Sequence, residues 1–212
     1  MKTLRIADTC GGWITCRSRF YTAHSVWSGD VSFREGINMM LCEVDQDGFP
    51  LSYLISMYEC RPRDFVFEAP PSVFIDGQKS DMQTLATRSC YIDALYPLFS
   101  SKRKTVRQLI EQGLRRAEQK ASFRDVQEMF ELTDARVDRP LCQVGNEVFR
   151  AMPAIGYAHG KEVFCFPWMS DKQYRRFYSH ISVATSMLAF LGKVVILPIG
   201  HPVYLQMKYG SS

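Results

Sequence analysis

Hydrophobic residues recur at two different periods along the chain, and the period changes from one segment to the next. Apolar and polar residues alternate over 3–9 and 13–22, which predicts two strands with Gly11-Gly12 between them. From Val31 to Val44 apolar residues return every three or four positions, so the first helix is expected there. The pattern then predicts three more strands, at 51–58, 64–68 and 73–75.

The second half of the chain alternates between helical and extended patterns as well. Segments 81–98 and 105–130 have helical periodicity, and the second is the stronger of the two. Ser170 with Gln173 forms a capping box that opens a long helix ending near Gly192. Strands are expected on both sides of this helix, at 148–157 and 162–167, joined by a turn at 158–161, and at 194–197 and 203–209.

This order of elements predicts an α+β fold. The outer elements can be assembled as a ferredoxin-like antiparallel sheet formed by residues 1–79 and 138–212. Residues 80–137 then form a basic helical insertion in that sheet. The fold class leaves the chemistry open, because many functions use the same frame.

Size and composition exclude several classes of protein. The chain has 212 residues, of which 46% are hydrophobic, so it can bury a sizeable core. Its apolar runs are far shorter than the ~20 residues of a membrane span, and residues 1–20 hold charges but no signal-peptide core. Seven cysteines without a C-x-x-C pair are typical of reduced thiols. We therefore expect a cytoplasmic protein that does not enter the membrane.

Positive charge is concentrated in one segment. Between Ser101 and Asp125 the chain has eight Lys or Arg and three acidic residues, a net charge of +5 in a protein whose total is +4. A basic element in an otherwise neutral chain favours a polyanionic partner, and nucleic acid is the first candidate.

The basic run Lys102-Arg103-Lys104 is expected in the first turn of a helix, where the helix dipole disfavours cations. Together with Arg107 and Arg115, the run is a candidate phosphate-binding site. The competing interpretation is a solvated loop. Glu111 stands four residues from both arginines, so part of the charge is paired along the helix.

Two further groups combine basic and aromatic residues. Lys172, Arg175 and Arg176 alternate with tyrosine and phenylalanine, a composition that suits single-stranded nucleic acid but equally an amphipathic helix. Arg17 and Arg19 share one face of an early strand, which could serve as an RNA platform or be an ordinary exposed face.

Catalytic and metal motifs are weak. His24 is a candidate general base for a ribose hydroxyl, and the histidines lack the spacing of a helical zinc site. Asp45-x-Asp47-Gly48 opens like a calcium loop but lacks the later ligands, so a turn is expected there. The sequence contains no glycine-rich phosphate loop. We expect no metal and no cofactor.

The order of elements, the basic helical insertion and the arginines near the first strand resemble the CRISPR-associated RAMP superfamily. Within it, the chain is most similar to the fifth-type backbone subunit of compact effector complexes. The resemblance implies a non-catalytic subunit that grips the 5′ end of a guide RNA and contacts neighbouring subunits.

The sequence thus predicts an RNA-binding, non-catalytic subunit of a ribonucleoprotein complex, with RNA, or DNA in its place, and other protein subunits as partners. Two alternatives stay open. One is an RNA-cleaving enzyme with His24 as general base, and the other is a protein-interaction module or small-molecule transferase with an acidic partner.

Overall fold

A parallel sheet lies at the centre of the fold. The computed structural model describes residues 1–200 except 8–12, 18–21, 27–29, 43–47, 68–70, 94–95, 97–98 and 100–102. Within these residues, four strands pair in the order β5-β11-β10-β9, and every pair is parallel. They are β5 (Gly36–Cys42), β9 (Ser89–Tyr91), β10 (Val163–Cys165) and β11 (Val194–Gly200).

Two antiparallel sheets are built from the first 80 residues. One has the order β4-β1-β7-β8, from β1 (Thr3–Ala7), β4 (Asp30–Arg34), β7 (Ser72–Ile75) and β8 (Gln78–Ser80). The other has the order β3-β2-β6, from β2 (Trp13–Arg17), β3 (Thr22–Val26) and β6 (Phe65–Phe67). β4 continues into β5 after one residue, so the antiparallel and parallel sheets are directly joined.

Helices cover both faces of the parallel sheet. Phe164 and Cys165 are neighbours on β10 and therefore point to opposite faces. Phe164 lies against Gly156 of α6 (Val148–Ala158), whereas Cys165 interacts with Ser56 of α1 (Gly48–Met57). Strands buried on both sides read as continuous apolar runs, as β10 and β11 do. The helices are α1 (Gly48–Met57), α2 (Met82–Thr87), α3 (Val106–Arg116), α4 (Phe123–Met129), α5 (Asp134–Val137), α6 (Val148–Ala158) and α7 (Asp171–Phe190).

The helix predicted from Val31 to Val44 is wrong. Its apolar spacing fits a helix, but Gly36 has φ = 98°, a backbone conformation that only glycine adopts readily. The segment is divided there into β4, which pairs with β1, and β5, which pairs with β11.

Two predicted strands are helices. Residues 51–58 belong largely to α1 and residues 148–157 to α6, both of which pack into the core. A helix that is buried on most sides has the same apolar composition as a buried strand, so periodicity does not separate them. The predicted turn at 158–161 does occur, but it joins α6 to β10 and is closed by Lys161 N donating to Gly156 O at 3.0 Å.

The predicted ferredoxin-like antiparallel fold is also wrong, because the central sheet is parallel and helices connect its successive strands along the chain. The long helix that begins at Ser170 is confirmed as α7, and the strand at 194–197 is confirmed as part of β11. The strand expected at 203–209 lies outside the described residues. The division into a core and an 80–137 insertion stays a prediction.

Candidate functional site

The candidate site is the edge of the parallel sheet where β5, β10 and β11 end. Open α/β sheets bind ligands outside the carboxyl ends of their strands. Cys42 at the end of β5 stands opposite Gly200 at the end of β11. Five residues separate Cys42 from Gly48, where α1 begins. A strand, a short loop and a helix in this order form the frame of a phosphate-binding loop.

The residues in that frame differ from those of a phosphate-binding loop. Such a loop has the pattern G-x-x-x-x-G-K-[ST], in which backbone N–H groups and the lysine bind phosphates and the hydroxyl binds Mg²⁺. Residues 43–50 read E-V-D-Q-D-G-F-P. Gly48 matches the second glycine, but Glu43 replaces the first, Phe49 replaces the lysine and Pro50 replaces the serine or threonine.

None of the five residues directly after β10 is acidic. In phosphate-loop NTPases an aspartate at the end of such a strand helps to hold Mg²⁺. Here β10 continues into Phe166, Pro167 and Trp168. Phe166 is fully buried, and its backbone N donates to Ile196 O at 2.9 Å. Among the residues that the structure describes, no group of three or more His, Cys, Asp or Glu could hold a metal ion.

The ring of Trp168 packs against the end of β11. A Cβ atom added to Gly200 would lie 2.8 Å from a carbon of the Trp168 indole, so the ring occupies the space that a side chain there would need. Gly200 N donates to Met169 O at 2.8 Å, which holds the segment after β10 against the end of β11. The indole Nε1 of Trp168 is buried, and no atom of the described residues is its hydrogen-bond partner. An aromatic ring therefore packs at this end of the sheet.

A carboxylate of the chain itself occupies the start of α6. Glu147 precedes the helix, is 6% exposed, and accepts hydrogen bonds from Thr133 N at 2.7 Å and Thr133 Oγ1 at 3.0 Å. Arg136 Nε lies 3.4 Å from the same carboxylate. A negative charge beside a helix amino terminus is favourable for the helix and repels a phosphate.

These residues do not fit a magnesium-bound nucleoside triphosphate. The frame of a phosphate loop is present, but the cation, the hydroxyl and the carboxylate that such a ligand requires are replaced by Phe49, Pro50 and Phe166. We derive no chemical step that runs through a nucleotide.

The first predicted basic group lies on the small antiparallel sheet. Arg17 ends β2, where it pairs with Thr22, and His24 lies in β3 opposite Thr15. Arg19 falls outside the described residues. Their predicted roles, as phosphate contacts and as a general base, stay predictions.

The basic run lies before α3 and not in its first turn. Thr105 caps this helix, accepting from Gln108 N at 3.2 Å, and the helix begins at Val106. Lys104 donates from Nζ to Gln112, Arg103 is exposed and has an interaction of its own, and Lys102 falls outside the described residues.

Arg107 is held by two neighbours within its own helical block. Its Nε donates to Asp138 Oδ1 at 2.7 Å, and its guanidinium lies 4.2 Å from the centre of the Phe123 ring. The hydrogen bond to Asp138 raises the pKa of Arg107 above its ordinary value. This contact with Asp138 gives the Arg107 charge a structural role.

The end of α3 explains two more basic residues. Arg115 and Arg116 lie in its last turn, where the helix dipole favours cations. Lys161 likewise donates to the carbonyl of Thr87, the last residue of α2. The positive charges of Arg115, Arg116 and Lys161 are therefore placed at helix carboxyl ends, and these three charges require no polyanion.

The sequence pattern does not single out His159, which lies beside Arg116 and Ala117 at the end of α3. With Phe99, Arg116, Ala117 and Lys161 it lines a cavity of about 280 Å³. Its Nε2 lies 3.1 Å from Leu109 O. Burial lowers the pKa of His159, and the neighbouring cations lower it further.

The third predicted group lies on α7. Arg175 Nε donates to Asp171 Oδ2 at 2.8 Å, one turn earlier on the helix. Arg176 lies 5.5 Å from the centre of the Phe177 ring, and Lys172 is exposed on the first turn. The three predicted basic groups are therefore distributed over three different elements: the small sheet, the region around α3, and α7.

Comparisons with known proteins agree with the parallel-sheet architecture that positions this site. The chain has the α/β architecture of ATP-binding cassette proteins. A solved structure from Pyrococcus furiosus, described as an ABC transporter ATP-binding protein, has a TM-score of 0.60 and 10% identity over 94% of this chain and 92% of its own. The dimeric structure of MJ0796, a bacterial ABC transporter cassette, has a TM-score of 0.57 and 13% identity over 94% of this chain and 88% of its own. No protein-family model and no curated protein matches the sequence.

These neighbours overturn the resemblance to the RAMP superfamily, since their fold is that of the cassette. The predicted function as an RNA-binding subunit of a ribonucleoprotein complex is therefore wrong, and so are guide RNA, DNA and the other subunits of such a complex as partners. Among the described residues, no helix is both long and apolar enough to cross a membrane.

Proposed function

We propose that this chain is the cassette subunit of a transport complex and attaches from the cytoplasmic side to a membrane-embedded partner protein. One observation carries the proposal: the cassette fold extends over 94% of the chain, and the similar structures are described as parts of ABC transporters. The chain would contribute the cassette, and the partner the path through the membrane.

A cleft in the helical block is the surface proposed for the partner. It has a volume of about 550 Å³ and lies between α3, α4 and α5. Phe123 and Leu132 supply its apolar floor. The charged residues around it are Arg107, Arg124, Glu128, Glu131 and Asp134. An apolar centre within a polar rim is the common composition of a protein interface.

Membrane fractionation in the native host tests the proposal. We expect the tagged chain in the membrane pellet, and we expect alkaline carbonate to release it, because none of the described helices can cross a membrane and the partner would hold the chain there. Cross-linking should join the cleft to an integral membrane protein. A chain that stays in the soluble fraction, without such cross-links, would contradict the transport role.

Two matched charge reversals locate the surface. Arg124 and Arg175 are both exposed, at 84% and 75% of their side chains, and each pairs with an acid four residues away on its own helix. We expect Arg124→Glu in the cleft to reduce the membrane-bound fraction several-fold. Arg175→Glu on α7 should leave it unchanged. Equal effects of the two variants would exclude the cleft.

A further inference from the structure

The loop between β5 and α1 has the wrong charge for a phosphate. Its five residues include Asp45 and Asp47, and with Glu43 at its start the loop contains three acids and no basic residue. A phosphate loop presents backbone N–H groups and a lysine to a ligand that is itself strongly negative. A segment of this composition, with three carboxylates and no cation, disfavours such a ligand.

The first turn of α1 lacks the groups that would hold the terminal phosphates and their metal. Phe49 carries no charge, so no ammonium reaches a phosphate from that position. Pro50 has neither a hydroxyl for Mg²⁺ nor a backbone N–H. Proline is well suited to the first turn of a helix, so this substitution favours the helix while it removes two ligand contacts.

The facing strand ends are closed by apolar packing. Phe166 is fully buried after β10, and Trp168 lies over Gly200 at the end of β11. Placing a carboxylate at Phe166 would put an unpaired charge in the core, which is strongly unfavourable. The carboxylate that would help to hold Mg²⁺ is therefore lacking, as are the lysine and the hydroxyl that would contact the phosphates and the metal.

We infer that this cassette does not bind a magnesium-bound nucleoside triphosphate and works as a structural or regulatory subunit. Acidic, apolar and proline residues stand at the positions where the fold of its neighbours would hold the nucleotide. The inference about the nucleotide rests on the fold and these residues. Its consequence for transport rests on the proposed function: hydrolysis in the complex would have to come from a different cassette chain.

A thermal-shift titration of the purified full chain tests the inference. A ligand present at about 100 times its dissociation constant raises the Tm of a chain of this size by about 5–10 °C. We expect no saturable shift with Mg·ATP, Mg·ADP or sodium triphosphate up to millimolar concentrations, and ATP hydrolysis no faster than in buffer. MgCl₂ alone and ATP with EDTA serve as controls.

Equilibrium dialysis with labelled ATP at low temperature checks the same point without unfolding the protein. Saturable binding of Mg·ATP in either experiment would overturn the inference. The outcome is separable from that of the proposed function. A chain that binds Mg·ATP and fractionates with membranes refutes only this inference, and a chain that does neither refutes only the transport role.

Discussion

Gly113 allows two helices to approach more closely than any other residue would permit. A Cβ atom at this position would lie 2.5 Å from Cδ2 of His159 and 2.8 Å from the backbone carbonyl carbon of Ala158. The second contact involves backbone, which cannot rotate away. Glycine in the middle of a helix lowers helix stability, so its presence in α3 is explained by the contact with the end of α6.

Gly113→Ala should therefore destabilise the protein although alanine is the better helix former. Overpacking of this kind costs about 1–3 kcal/mol. Urea unfolding followed by circular dichroism measures the change in the free energy of unfolding. Arg115→Ala, two residues later on an exposed position, is the control and should change it very little. An unchanged or raised stability of Gly113→Ala would show that α3 and α6 do not meet as described.

The candidate site could be predicted only in part from single residues. The turn predicted at Asp45-x-Asp47-Gly48 falls outside the described residues up to Gly48, where α1 begins, and it stays a prediction. The absence of a glycine-rich phosphate loop is visible in the sequence. What the sequence does not show is that residues 43–47 connect β5 to α1, in the chain order of a phosphate-loop frame. The location of the candidate site follows only from the pairing of β5 with β11 in the parallel sheet.

At the scale of elements, amphipathic helices are predicted well and buried ones are not. Polar residues on the solvent side of α7 give it a clear period, and a capping box fixes its start. In α6, by contrast, seven residues of eleven are buried, and Pro153 lies inside the helix. Such a segment has too few polar residues to show its period, and proline argues against a helix locally, so contacts with the sheet and α7 decide its structure.

The cap of α7 can be tested by itself. Ser170 accepts a hydrogen bond from Gln173 N at 3.2 Å, and Gln173 in turn accepts from Ser170 N at 3.0 Å. Ser170→Ala should lower the free energy of unfolding by about 1 kcal/mol, since it leaves a backbone N–H at the helix start without its partner. Chemical denaturation of the variant measures the loss.

Ser182→Ala is the matched control for this substitution. Ser182 lies in the middle of α7, and its hydroxyl reaches only Ser179 O at 3.5 Å. Alanine is the better helix former there, so stability should stay the same or rise slightly. A loss as large as that of Ser170→Ala would mean that the hydroxyl acts through something other than the cap.

At the scale of the whole molecule, the fold depends on pairings between distant parts of the chain. β5 pairs with β11, and β10 lies between β11 and β9 although α3 to α6 separate it from β9 in sequence. Local patterns do not specify which strands become neighbours, because the choice depends on which apolar faces the helices cover. An antiparallel arrangement of the same short strands was therefore equally compatible with the sequence.

One group of ion pairs joins the amino-terminal ends of β9 and β10. Arg88, just before β9, forms two hydrogen bonds with Glu162, just before β10, at 3.0 Å and 2.6 Å. The amino group of Met1 lies 2.9 Å from the same carboxylate. Burial raises the pKa of Glu162, but the hydrogen bonds and charges of Arg88 and the amino terminus outweigh burial, so the pKa lies below its ordinary value of 4.5.

Glu162→Gln should therefore lower stability in a way that depends on pH. The wild-type carboxylate is ionised in both the folded and the unfolded chain at neutral pH, where the pair contributes fully, about 1 kcal/mol for a partly exposed group. Because the folded pKa is the lower one, this contribution is lost as the pH falls below the ordinary value of 4.5 and through the folded pKa. Urea unfolding of both proteins at pH 7 and at stepwise lower pH should show their stabilities converging. Glu128→Gln, in an exposed pair on α4, is the control and should differ little from wild type in its free energy of unfolding at any pH. If the difference in stability between wild type and Glu162→Gln persisted in acid, packing of the side chain, and not its charge, would join β9 to β10.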